Sequence, residues 1–347
     1  MDEDAVRDLL RSVADPDLDD DIVSLGLVNS IEVDGDRVRV DLALGAPYSP
    51  TETEMAGEVR RLLSAEGLEP ELSANVDRGL DPDEQVLPGV KNVIAVSSGK
   101  GGVGKSTVAV NLAAGLSDMG ASVGLFDADV YGPNVPRMVE ADERPQATAD
   151  ETIVPPERFG IKLMSMAFLV GEDDPVIWRG PMIHKLITQL VEDVEWGTLD
   201  YMVVDLPPGT GDTQLTLLQS VPISGSVIVT TPQEVALDDA RKGLRMFGKH
   251  DTPVLGIVEN MSGFRCPDCG SVHDIFGAGG GERFAEENDL PFLGELPLDP
   301  DVREGGDTGK PVVLDDDSDT GEAFRSFARS TANMQGILHR QRTSRGR

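Results

Sequence analysis

The run Gly99-Lys100-Gly101-Gly102-Val103-Gly104-Lys105-Ser106-Thr107 constrains this chain more tightly than any other feature. It fits the pattern G-x-x-x-x-G-K-[ST] and stands where that pattern has physical meaning. The apolar run Val93-Ile94-Ala95-Val96 precedes it at strand length, and Val108, Val110, Leu112 and Leu116 come after it in a helical stretch. Glycines here let successive backbone N–H groups turn inward around a polyphosphate, towards which the following helix points its positive end. Lys105 is placed to reach the β- and γ-phosphates, and the Ser106 hydroxyl to join the shell of a Mg²⁺ ion. A glycine-rich turn that binds nothing would not need strand, lysine and helix together.

Such a loop needs carboxylates at neighbouring strand ends, and the chain offers two places. Asp205 closes the apolar run Tyr201-Met202-Val203-Val204 and leads into Leu206-Pro207-Pro208-Gly209-Thr210-Gly211-Asp212. A carboxylate there can hold a Mg²⁺-bound water, and the Pro-Gly-rich loop after it could sense a γ-phosphate by changing shape. Asp127 and Asp129 come directly after the run Ser122-Val123-Gly124-Leu125-Phe126, and one of them would orient or deprotonate an attacking water.

Further strands are expected at Tyr201–Val204, Ser226–Thr230 and Pro253–Val258, with helical stretches between most of them. Continuous apolar strands alternating with helices indicate an α/β fold with a mainly parallel sheet covered on both faces. Ligands of such sheets bind beyond the carboxyl ends of the strands. This P-loop domain is expected over residues 91–338, preceded by a small α+β domain over 1–77 and an acidic linker over 78–90 that carries Gly79, Pro82 and Pro88. In the small domain Val6, Leu9, Leu10 and Val13 have helical spacing, and Val38, Val40, Leu42 and Leu44 alternate as a strand. A second helix is expected to open at Thr51, with Thr51 and Glu54 at capping-box spacing and Met55, Val59, Leu62 and Leu63 as its apolar stripe. Near the C-terminus Phe324, Phe327, Met334, Ile337 and Leu338 form an amphipathic helix expected to dock on the protein's own core. Residues 339–347, with Arg340, Arg342, Arg345 and Arg347 and no apolar pattern, read as a disordered basic tail.

The 347 residues include 62 Asp and Glu against 30 Lys and Arg, a net charge of −32. That excludes an ordinary nucleic-acid binder, which needs a basic face, and disfavours stable association with an anionic membrane. The acid is spread along the chain and only 8 of the basic residues are Lys. Such a composition suits concentrated salt, where at about 1 M the Debye length falls to about 3 Å and self-repulsion is screened. The start Met-Asp-Glu-Asp has no signal-peptide character and no run is long and apolar enough to span a bilayer, so a cytoplasmic location is expected.

Cys266 and Cys269, in Cys266-Pro267-Asp268-Cys269-Gly270, are the only cysteines. Two thiolates at this spacing chelate one soft metal centre but complete neither a tetrahedral zinc site nor a four-cysteine cluster. A symmetric dimer would bring two such pairs together. A redox dithiol, a zinc site completed by His273 and a plain structural pair remain open, although a redox pair usually opens a helix after a strand.

With Lys100 early in the loop, the sequence resembles the deviant phosphate loop of the ParA/MinD-like branch of P-loop ATPases. Within that branch it is similar to the Mrp/ApbC-type iron–sulfur cluster carriers. The likeness is carried by the loop, Trp178-Arg179-Gly180-Pro181-Met182, Asp205–Asp212, Asn260-Met261-Ser262, the cysteine pair and Gly279-Gly280-Gly281-Glu282. The first domain resembles the small iron–sulfur assembly domain often fused to these carriers, in Asp15-Pro16-Asp17 and Asp21–Leu27. That domain often has a cysteine between prolines matching Pro47 and Pro50, where this chain has Tyr48-Ser49. The resemblance implies a slow ATPase acting with Mg²⁺, Lys100 reaching a partner subunit's nucleotide, Asp129 activating water, Asp205 at the Mg²⁺ and Asn260 near the adenine. It implies a homodimer bridged at Cys266 and Cys269 by a [4Fe–4S] cluster taken from donors and passed to apo iron–sulfur proteins. The alternatives are a positioning ATPase like ParA or MinD, and a nucleotide-switched regulator with structural zinc.

Overall fold

The computed structural model describes residues 1–75, 86–150, 152–169, 180–266 and 269–345. They fall into two compact units, Met1–Gln85 with Ala332–Arg347, and Val86–Thr331.

In the first unit, helix α1 (Glu3–Leu10) is capped by Asp2, whose carboxylate accepts the Ala5 N–H. Strands β1 (Val28–Asp34) and β2 (Arg37–Leu42) form an antiparallel hairpin. After helix α2 (Pro50–Ala65), strand β3 (Glu69–Ala74) pairs parallel to β2. The alternation read in the sequence puts Val38, Val40 and Leu42 into a core with Val6, Leu10, Met55, Val59 and Leu63. The cap of α2 is not Thr51. Ser49 accepts from the Glu52 N–H with Pro50 in the first turn, where a missing N–H costs nothing. Glu54 is exposed, and it is Glu52 that turns back, accepting the Ala46 N–H at 2.8 Å.

The expected disordered tail is corrected: the last helix runs Asp319–Arg345. Its buried face in this unit is polar, with Gln335, His339 and Arg340 inside, whereas Met334, Ile337 and Leu338 are only half-buried. Arg340 is fully buried among three carboxylates. Nε lies 2.6 Å from Asp15, Nη2 2.6 Å from Asp17 and Nη1 3.1 Å from Glu52. Apolar periodicity missed this segment because charge, not hydrocarbon, holds it. Burial raises the Glu52 and Asp17 carboxyls above their ordinary range despite the guanidinium beside them.

The second unit begins at Val86, earlier than expected, with Leu87 and Val90 in its core, and residues 78–85 of the expected linker lie outside the described residues. Among the described residues seven strands run parallel: β4 (Val90–Ser98), β5 (Val123–Asp127), β6 (Ile161–Ser165), β7 (Leu199–Asp205), β8 (Gly225–Thr230), β9 (Val254–Arg265) and β10 (Phe292–Leu298). Their order across the sheet is β6-β5-β7-β4-β8-β9-β10, with short antiparallel additions at Glu157–Arg158 and Val272–His273. Helices such as Lys105–Asp118 and Glu234–Lys249 cover it, so its strands are apolar on both sides. The five strands expected from sequence are present; β6 and β10 were not foreseen. Phe324 and Phe327 are buried as expected.

Removing Arg340 strands three buried or half-buried carboxylates, so Arg340→Ala should destabilise the first unit by about 3–5 kcal/mol. The exposed Arg342→Ala should stay within about 0.5 kcal/mol of wild type. Urea unfolding of the full chain measures both, and equal effects would refute the role given to Arg340.

Candidate nucleotide site and cysteine hairpin

The phosphate loop leaves β4 at Ser98 and enters helix α3 (Lys105–Asp118) at Lys105. Gly104 caps that helix at φ +83°, and a Cβ there would lie 2.2 Å from Asn260 Nδ2, so glycine is required on both counts. A Cβ on Gly99 would lie 2.1 Å from the Asp239 backbone. The loop is thus pressed from both sides into one path.

Parallel register brings the acids together. Asp127 and Asp205 are paired neighbours at the ends of β5 and β7, and both are fully buried. Lys105 Nζ lies 2.5 Å from Asp205 Oδ1, 3.3 Å from Ser106 Oγ and 3.8 Å from Asp129 Oδ2. Asp129 is held through Oδ1 by the N–H groups of Tyr131 and Gly132. Asp127 accepts from Ser165 Oγ at 2.8 Å and from the Val135 N–H at 3.2 Å. Burial, then the charge of Asp205, pushes its carboxyl up to about 7. Burial likewise raises Asp205, against the pull of Lys105.

Asp205 Oδ2 is buried without a hydrogen-bond partner. An orphaned carboxylate oxygen near the Ser106 hydroxyl is the donor set that Mg²⁺ takes together with phosphate oxygens and water, so these residues fit that ion. Among the described residues no ion pair engages Lys100. Asn260 is buried and donates to the Val103 carbonyl at 2.8 Å, which makes it a support of the loop itself. Two buried residues escaped the sequence reading. Gln214 donates to Ser97 Oγ and the Pro207 carbonyl, tying the loop after Asp205 to β4. Glu259 accepts the N–H groups of Gly279 and Gly281 and so caps the helix Gly280–Glu287. Neither had a signal beyond a polar residue in an ordinary place.

The cysteines stand at the tip of an antiparallel hairpin, where β9 pairs with Val272–His273 through Phe264–His273 and Arg265–Val272. Cys266 N–H donates to the Ser271 carbonyl at 2.9 Å, and Gly270 N–H to the Cys266 carbonyl at 2.8 Å. Pro267 and Asp268 lie outside the described residues, as do Trp178 and Arg179. Cys266 is half-buried and Cys269 exposed. Hydrogen bonding with Ser271, then with the neighbouring Cys266, draws the Cys269 thiol below its ordinary value, towards the metal-binding thiolate. A hairpin tip is not the helix start of a redox dithiol. Among the described residues no three Cys, His, Asp or Glu side chains are gathered as a metal site.

Loop, parallel register and converging strand-end acids define a P-loop nucleotide-binding α/β protein. The family model described as NUBPL iron-transfer P-loop NTPase matches residues 89–332, and that of an iron–sulfur cluster assembly protein matches residues 3–76. The chain therefore belongs to the iron-transfer family of P-loop NTPases, with the accessory domain its sequence led one to expect. It is 47% identical over 343 residues to an iron–sulfur cluster carrier protein of Synechocystis, covering 95% of this chain and 96% of that one. A nucleotide-binding protein from Archaeoglobus fulgidus, solved in complex with ADP, is 38% identical with a TM-score of 0.60, over 69% of this chain and 94% of that one. The cell division ATPase MinD of Pyrococcus furiosus shares the fold at 23% identity and a TM-score of 0.52, over 69% of this chain and 97% of its own.

The sign of the acid effect is testable without metal or nucleotide. Between about pH 4 and 7 the folded chain keeps a proton on Asp127 that the unfolded chain has lost. This carboxyl's contribution to stability therefore falls as pH rises through that window and is level above it. Urea unfolding at about pH 5 and 7.5 should show a smaller loss in Asp127→Asn than in wild type; identical losses would contradict the placement.

Proposed function

We propose that this chain is an ATP-hydrolysing carrier that takes a [4Fe–4S] cluster as cargo between two copies of itself and passes it to apo iron–sulfur proteins. The observation that carries the reading is the two-thiol hairpin, an incomplete metal site built on a strand that also touches the phosphate loop. Family membership and the named carrier in Synechocystis support it.

The nucleotide chemistry is set by the residues of the loop and the strand ends. Backbone N–H groups of Gly99–Thr107 bind the polyphosphate of ATP, and Lys105 leaves Asp205 to meet the β- and γ-phosphates. Ser106 and Asp205 would hold Mg²⁺, which neutralises charge on the β- and γ-oxygens when bound. Asp129, fixed by the turn after it, orients the water that attacks the γ-phosphorus as the bond to the ADP oxygen breaks. Lys100, free of any ion pair among the described residues, reaches the partner subunit's nucleotide, so that ATP draws two copies together. Asn260, beside the loop, lies where the adenine would be read. Turnover is slow, since a switch needs distinct states more than speed.

Cys266 and Cys269 from each copy then supply four thiolates, the complement a [4Fe–4S] cluster requires. The N-terminal unit, lacking a cysteine, recruits donors or recipients without ligating cargo. Among the described residues no helix is long and apolar enough to cross a membrane, which accords with work in the cytoplasm. The dispersed acid suits concentrated salt. The unfolding midpoint should accordingly rise between about 0.1 and 2 M KCl, and a flat response would refute the salt reading.

Anaerobic reconstitution with iron and sulfide, with metal analysis and Mössbauer spectroscopy of the product, tests the cargo. Wild type should hold about four irons and four sulfides per dimer, lost in Cys266→Ala. Zinc retained at the pair with no cysteine-dependent cluster would point instead to the nucleotide-switched regulator. Lys105→Ala should lower ATP hydrolysis about 100-fold or more and remove the effect of ATP on cluster release; equal release with and without ATP in wild type would overturn the coupling.

A further inference from the structure

Strand β9 meets the phosphate loop and the cysteines within six residues of each other. At Asn260 it donates a side-chain N–H to the Val103 carbonyl at 2.8 Å, with Asn260 5% and Val103 2% exposed. The contact is tight, since Gly104 has no room for a Cβ against that same amide. One residue earlier, Glu259 is fixed by two N–H groups of the glycine run that opens the helix Gly280–Glu287. Glu259 and Asn260 are therefore an anchored pair, one tied to a helix and the other to the loop.

Beyond the anchor the strand bends. Met261 has φ +59° and Gly263 φ +66°, and the ladder with β10 changes register between Asn260 and Phe264. A left-handed residue with a side chain is unfavourable, so Met261 keeps that conformation only because its surroundings impose it. An irregularity of this kind turns a strand and re-aims the residues beyond it. Here those residues are Phe264 and Arg265, which form the hairpin with Val272 and His273, and then Cys266. From the anchored amide to the first cysteine is at most roughly 20 Å of extended chain.

From these contacts we propose that Asn260 is the positioning residue that couples the phosphate loop to the cysteine hairpin, with residues 261–263 as the joint. The inference rests on the nucleotide and cargo sites proposed above. Val103 belongs to the stretch whose N–H groups close on a polyphosphate, so its peptide shifts when phosphate is gripped. Its buried carbonyl takes the Asn260 amide with it, because a buried acceptor left without its donor is unfavourable. Asn260 moves β9 at one end of the bend, and the hairpin turns at the other. The two sites are thereby states of one element, which is what energetic coupling requires.

The chain's two cysteines both lie in this hairpin, so thiol alkylation reports on it alone. The test measures iodoacetamide alkylation rates of the reduced, cluster-free full chain without nucleotide, with Mg·ADP and with Mg·ATP. In wild type Mg·ATP should change the rate by about threefold or more, by shifting the hairpin between populations. With ATP raised until each variant is saturated, as checked by equilibrium dialysis, Asn260→Ala should lose that change. Gly263→Ala leaves the Asn260 amide in place and strains the joint, because its φ suits glycine and the new Cβ would lie 3.3 Å from Val272 Cγ1. It should bind ATP normally and show an altered nucleotide effect. A full effect in Asn260→Ala, or none in wild type, overturns the proposal. Should Asn260→Ala fail to fold or bind, an unchanged effect in Gly263→Ala overturns it. Cluster reconstitution on the same proteins reads the cargo site separately, so failure of the coupling leaves the carrier reading standing and the converse is equally visible.

Discussion

The ion pair of Lys105 with Asp205 is the contact on which the chemistry of the second unit depends. Parallel register sets Asp127 beside Asp205, and the turn after β5 adds Asp129, while a single ammonium group enters from the start of α3. Three carboxylates face one cation in a dry place, and the charges do not balance. The imbalance shows in the raised Asp127 carboxyl and in the orphaned Asp205 oxygen. Lys105 can leave for a phosphate only if another cation takes its place at Asp205, because an uncompensated buried carboxylate is costly. Hence the lysine and a divalent ion with its polyphosphate suit one another as successive partners. Such an exchange would keep the charge at the strand ends nearly constant while the loop changes what it holds.

That centre was legible in the sequence because each of its residues obeys a local rule. A loop between an apolar strand and a helix, and an acid closing an apolar run, both survive translation into three dimensions with little help from distant residues. β6 escaped because Lys162 interrupts its apolar run; the ammonium leaves the strand to bond the Glu195 and Trp196 carbonyls. β10 escaped because Gly294 and Pro297 read as turn residues, yet each sits inside a strand at the sheet edge. Asn260 was legible only as a residue near the nucleotide. Its grip on Val103 depends on a separation of 157 residues that no local pattern records.

The C-terminal segment shows the opposite failure, a local rule correctly applied to the wrong force. Arg340 and its neighbours lack an apolar stripe, so hydrophobic periodicity leaves them without a place to go. In a chain with 62 acidic residues, an arginine has another way of being buried. Asp15, Asp17 and Glu52 come from the start of the chain and from α2, and they converge on one guanidinium whose planar fork can serve all three. The Asp15-Pro16-Asp17 motif and the final helix are thus explained together, although they are more than 300 residues apart.

Seen as half of a larger object, the second unit leaves two things unfinished: Lys100 without a counter-charge among the described residues, and two thiols where a tetrahedral centre or a four-cysteine cluster wants four ligands. In the proposed homodimer both would be one half of a two-fold arrangement, and one isologous pairing would complete them in a single step. Charge opposes that step, since each copy brings −32. At low ionic strength the repulsion between two such bodies reaches over tens of ångströms, whereas at about 1 M salt it is confined to about 3 Å. Under screening, the short-range contacts of the loop lysine and the thiolates decide whether two copies meet. On the proposed reading, plentiful salt would favour a site divided between two such acidic copies, which would tie the composition of the chain to the way its metal site is assembled.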